Sequence, residues 1–113
     1  MVAGAPTLHV LIVGRLLDIV DDTRSRVRCE GVSLHGATNL DEVRMALARR
    51  RIDVMVVGAG IELAERLAIA RVAIEQSDTI TVHFKDKVSG QAGFAPFVER
   101  ILATRQMARG PRL

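Results

Sequence analysis

Two short runs constrain this chain more than anything else in it. LHVLIV (8–13) and DVMVV (53–57) are apolar and rich in β-branched side chains. They stop at Gly14 and Gly58, and each is followed by residues with helical spacing. A strand with one wet face alternates apolar and polar residues, whereas a strand that is apolar throughout needs cover on both faces. Covering both faces of a parallel sheet takes helices above and below it, so these two runs demand a layered α/β fold.

The other segments supply the remaining layers. Leu16 to about Glu30 reads as a helix with apolar positions at Leu16, Leu17, Ile19, Val20 and Val27, and with Asp22 and Arg26 as a favourable pair. VSLHG (32–36) is short and alternating, as an edge strand is. In ATNLDEVRMALARRRI, Asn39 can cap a helix and Glu42 completes a capping-box pattern. Leu40, Val43, Ala46 and Leu47 then follow helical spacing. A third helix is expected over 61–76, and TITVHF (79–84) alternates strictly, with Ile80, Val82 and Phe84 on one face and Thr79, Thr81 and His83 on the other. FAPFVERILATRQM sets Phe94, Phe97, Val98, Ile101 and Leu102 on one helical stripe.

The order is therefore β-α-β-α-β-α-β-α, with connections that imply parallel strands and right-handed crossovers. Strands that are apolar throughout belong at the centre, and alternating strands belong at the edges. The order 2-1-3-4 satisfies both, giving a three-layer, flavodoxin-like sheet of four strands with helices on both faces. From His83 to Pro96 there is no room for a further helix and strand, so a fifth strand is missing or is a stub near Gly93–Ala95.

The 113 residues suit one domain, expected over 1–104, with 105–113 as a basic, flexible tail. No apolar run approaches the roughly 20 residues that cross a bilayer. MVAGAPT lacks the basic and apolar regions of a secretory signal. Cys29 is the single cysteine, which excludes an internal disulfide and suits a reducing, cytoplasmic setting. The net charge of +3 admits nucleic acid as a partner. Against that, Arg49-Arg50-Arg51 closes a helix, where cations complement the dipole, and the three aromatics, all Phe, offer little for stacking bases. A basic nucleic-acid-binding accessory role therefore ranks behind two other readings.

The stretch VSLHGATNLDEVRMALARRRIDVMVVGAGI resembles the middle of a response-regulator receiver domain, and LHVLIVG is similar to the first strand of that family. The likeness runs over residues 8–84 and implies a flavodoxin-like scaffold used in signal transduction. It does not imply phosphorylation. A receiver needs two acidic residues after strand 1 to hold magnesium, and Gly14 and Arg15 stand there. It needs a nucleophilic Asp at the end of strand 3, and Gly58 stands there. The Ser or Thr that ends strand 4 has His83 as its nearest match, and the Lys-Pro pair becomes Ala95-Pro96. Asp18, Asp21 and Asp22 fall in the next helix, the wrong place for the lost carboxylates. What remains is a pseudo-receiver with no cofactor and no acid–base or nucleophile constellation, hence a regulatory or protein-interaction module rather than an enzyme.

Two surfaces are candidates for function. Gly58-Ala59-Gly60 precedes a helix, where free amides can hold an anion, although a tight turn explains the glycines as well and Glu62 already complements the helix dipole. Ligands of open parallel sheets bind at the carboxyl ends of the strands. Gly14, Arg15, Gly58, Ala59, Gly60 and His83 are expected around one shallow, positive pocket there, for an anion, nucleotide or other small molecule. His9 is expected at the opposite sheet end from His35 and His83, so no metal site is expected.

The third helix carries two apolar stripes. Leu63, Leu67, Ala70 and Ile74 suit the sheet, while Ile61, Ala68 and Val72 lie nearly opposite. A monomer needs only one such stripe. The second stripe is either scattered surface apolar residues or, with Thr79, Thr81 and His83 on an edge strand and Lys85 and Lys87 as guards beyond it, the contact of a homodimer.

Overall fold

The computed structural model describes residues 7–87 and 93–108. Four strands, β1 (Leu8–Val13), β2 (Val32–Ala37), β3 (Val54–Val57) and β4 (Thr81–Phe84), form one parallel sheet in the order β2-β1-β3-β4. They alternate with α1 (Leu17–Arg26), α2 (Leu40–Arg49), α3 (Leu63–Gln76) and α4 (Phe94–Ala108). This is the three-layer, flavodoxin-like arrangement that the two apolar runs demand.

β1 and β3 are central, and they feed both cores. Val10, Ile12, Val54 and Val56 pack with Val20 of α1 and with Phe94, Val98 and Leu102 of α4. Leu11, Val13, Met55 and Val57 pack on the other face with Val43 of α2 and Ile69 and Ala73 of α3. The pleat sends alternate side chains to opposite faces, so a run without polar interruption is what two cores require.

Several element ends differ from the sequence reading. α1 stops at Arg26, because Val27 leaves the helix in extended backbone and is buried in the α1/α4 core. Gly31 then turns the chain into β2 with φ +76°, a conformation that favours glycine. β4 begins at Thr81 rather than Thr79. Phe94 and Ala95 are in α4, so no strand stub forms at Gly93–Ala95, and β4 pairs only with β3 among the described residues. α4 extends through Ala108, and 109–113 lie outside the described residues.

The largest correction is the phase of α3. Ile69 and Ala73 are its buried residues, while Leu63, Leu67 and Ile74 are 62%, 61% and 60% exposed. The stripe expected on the sheet faces outward. Ile61 is not an outward residue at all: it precedes the helix and is buried in the α2/α3 core. Ala68 and Val72 are half-buried beside Ile69 and Ala73. A small Ala73 lets the helix backbone sit close to the sheet, and the β-branched Ile69 fills the space next to it. The leucines would hold the helix further out.

α2 begins as its sequence foretells. Asn39 Oδ1 accepts from the Glu42 amide at 2.9 Å. The Glu42 carboxylate reaches back to Thr38 instead of Asn39, accepting from its amide at 2.6 Å and its hydroxyl at 2.8 Å. Those bonds hold the Glu42 carboxyl below its ordinary pKa. Replacing Asn39 by Ala removes a cap and should cost about 1 kcal/mol of stability, read as a lower urea midpoint with an unchanged slope.

Candidate functional site

A cavity of about 450 Å³ opens at the carboxyl ends of β1 and β3. The two strands leave it in different directions, one into α1 and one into α3, which makes it the switch point of the sheet. Gly14, Arg15, Gly58, Ala59 and Gly60 line it, as the sequence reading expected. Leu16, Ile19 and Phe94 supply apolar walls, and Lys85 and Lys87 add two cations to Arg15.

Gly14 has a spatial reason rather than a conformational one. Neither Gly14 nor Gly58 has positive φ. A Cβ on Gly14 would lie 3.0 Å from Val20 Cγ2 and 3.7 Å from the Phe94 ring. A Cβ on Gly58 would lie 3.4 Å from the Val13 carbonyl and 3.7 Å from the same ring. Phe94, the first residue of α4, closes one side of the cavity beside this bare backbone. Gly58 gives its amide to the Val13 carbonyl at 2.8 Å, so that donor is already used. Among the described residues, no backbone carbonyl accepts from the amides of Ala59 or Gly60.

His83 does not reach the cavity. It is paired in register with Val56, whereas the next residue on the same face, Lys85, is level with Gly58 and donates its amide to the Val57 carbonyl at 2.9 Å. The residue at the end of β4 is therefore Lys85. It was legible only as a charge beyond an edge, and the two-residue offset follows from the register of β4 on β3. Its side chain is 3% exposed, and its ammonium donates to the Asp86 carbonyl at 3.1 Å with the Asp86 carboxylate 3.8 Å away. A buried charge is held only with such partners.

His9 and His35 are not at opposite ends of the sheet. His35 is paired with Leu11, one pleat from His9, and its ring leans back so that His9 Nδ1 and His35 Nε2 lie 3.0 Å apart. The Ser33 hydroxyl is 3.3 Å from the same His35 nitrogen. Among the described residues, no three His, Cys, Asp or Glu side chains gather as metal ligands. The contact needs one ring nitrogen to donate and the other to accept, so it tolerates one cationic ring and not two.

Burial, and then electrostatic repulsion from Arg50, His9 and Arg24, hold the His35 pKa below its ordinary value. A depressed folded pKa means that the unfolded chain binds the proton more readily. The contribution is thus complete above the unfolded value of about 6.5 and is lost as the pH falls through the lower folded value. Melting temperature should fall between pH 7.5 and 5.5, and His35→Gln should flatten that slope.

Thr79 is exposed just before β4, and Thr81 and His83 are half-buried on its α1/α4 face. Phe84 points to the other face, which carries α3, and is 40% exposed. Among the described residues, no helix is long and apolar enough to cross a membrane. No protein-family model, curated protein or solved structure matches this chain significantly.

Proposed function

We propose that this chain is a non-catalytic regulatory module, a receiver-like scaffold without a phosphoacceptor, that acts through pairing with a second copy of itself. The observation that carries the reading is the outward stripe of α3. Leu63, Leu67 and Ile74 are all about three-fifths exposed on one helix, and the edge strand β4 ends in a part-exposed Phe84. Burying the exposed part of each side chain would contribute roughly 1 kcal/mol. A free monomer gains nothing from keeping them in water.

The choice of a second copy rests on spacing. The stripe Leu63-Leu67-Ala70-Ile74 has steps of four, three and four, and reads the same in both directions. A twofold axis through its middle sets Leu63 against Ile74 and Leu67 against Ala70, with the helices antiparallel. That is the self-complementarity an isologous interface requires.

The charge at the strand ends supports the non-catalytic part. Gly14, Arg15, Gly58 and Lys85 stand at the carboxyl ends of the strands, so cations and bare backbone occupy the place where a receiver holds its carboxylates. Light scattering coupled to gel filtration, on the full chain at high micromolar concentration, tests the pairing. A dimer is the expected result, and a monomer overturns it.

A further inference from the structure

We infer that the cavity between β1 and β3 is a binding site for a small organic phosphate, with the phosphate on Arg15, Lys85 and Lys87 and an apolar or aromatic group against Phe94. Four features of different kinds lead to this ligand class. The first is size. At about 450 Å³ the cavity lies within the range of small-molecule sites and is much larger than a bare ion needs.

The second is charge. Three lining residues are cations, and no carboxylate lines the cavity among the described residues. The Asp86 carboxylate next to Lys85 is 68% exposed and lies outside that lining. Lys85 is the informative one of the three. Its side chain is 3% exposed and its ammonium is held by the Asp86 carbonyl and carboxylate, so its charge is fixed at the cavity wall. An arginine and two lysines around one opening favour an anion with several acceptor oxygens over a single carboxylate.

The third is backbone. Ala59 and Gly60 line the cavity, and their amides have no carbonyl partner among the described residues. The turn they form leads into α3, where Glu62 at the N-cap already complements the helix dipole, so the donors here are the two amides themselves. The fourth is the wall. Leu16, Ile19 and Phe94 are apolar, and the Phe94 ring stands over the bare backbone of Gly14 and Gly58. Inorganic phosphate would leave that wall unused. A phosphomonoester with a flat apolar group uses the wall and the cations together.

Melting temperature measured with three probes tests the inference. Phenyl phosphate at ten times its Kd should raise the melting temperature by roughly 5 °C. Inorganic phosphate and phenol at the same concentration should each raise it less. Lys85→Met keeps the volume of the side chain and removes its charge, and should weaken phenyl phosphate at least tenfold. Arg15→Gln, at the exposed rim, should do the same without disturbing the fold, and keeps the test decisive if the Lys85 variant does not fold. No shift with phenyl phosphate, an equal shift with inorganic phosphate, or an unchanged affinity in Arg15→Gln overturns the inference. The site does not depend on the pairing of α3: a monomer that binds phenyl phosphate removes the dimer and leaves this inference standing.

Discussion

Ile69→Ala should lower the stability of the fold by about 3 kcal/mol, while Leu67→Ala on the same helix should change it by no more than about 0.5 kcal/mol. Sequence alone orders these two residues the other way. Ile69 is fully buried and is the large side chain with which α3 is anchored on the sheet; Ala73 is the other buried residue of the helix. Truncating it opens a cavity between α3 and the Met55 and Val57 side of β3, and Ala73 has nothing with which to fill it. Against a total of about 5–15 kcal/mol for a domain of this kind, a loss of that size is large. Urea unfolding at low micromolar protein measures both variants. An Ile69→Ala midpoint close to the native one would mean that α3 turns a face other than Ile69 and Ala73 to the sheet.

The phase of α3 was hard to read for a physical reason. Its apolar residues are spread around the helix, so periodicity alone does not single out one face. Leucines at 63 and 67 attract the assignment because they are large, but a helix crossing a flat, β-branched sheet gains more from close approach than from bulk. Ala73 permits that approach. β1 and β3 were legible for the opposite reason: an apolar run without interruption admits few arrangements. The strand order and both cores followed from those runs, and the Asn39 cap from three letters of local chemistry.

The cavity was legible in part. Gly14, Arg15 and Gly58–Gly60 fall at strand ends, and a parallel sheet brings such ends together. Lys85 was not legible, because its position depends on register across β3 and β4 and on where β4 stops. The same uncertainty placed His83 in the cavity when it is paired with Val56, further from the strand end. The His9–His35 contact was missed because position along two strands does not show how a long side chain leans. Phe94 was read only as a core residue of the last helix. Its second role appears once the two glycines are seen beneath its ring.

Leu67→Glu should weaken self-association roughly 100-fold and leave the monomer folded. In the twofold arrangement Leu67 faces Ala70 of the other copy, near the axis, so one substitution acts twice. It removes two leucines from the contact and puts two carboxylates into a small apolar patch, each without a partner. Burying an unpaired charge costs more than the lost leucine contact, so the effect is expected to exceed that of Leu67→Ala. Val72→Glu gives the contrast. Val72 is half-buried beside Ala73 rather than on the stripe, so a carboxylate there should lower the melting temperature before it alters association. Light scattering over a dilution series, with melting curves for both variants, separates the two effects. If Leu67→Glu remains dimeric at the native concentration while keeping its fold, the outward stripe is not the contact, and the β4 edge with its exposed Phe84 becomes the surface to test.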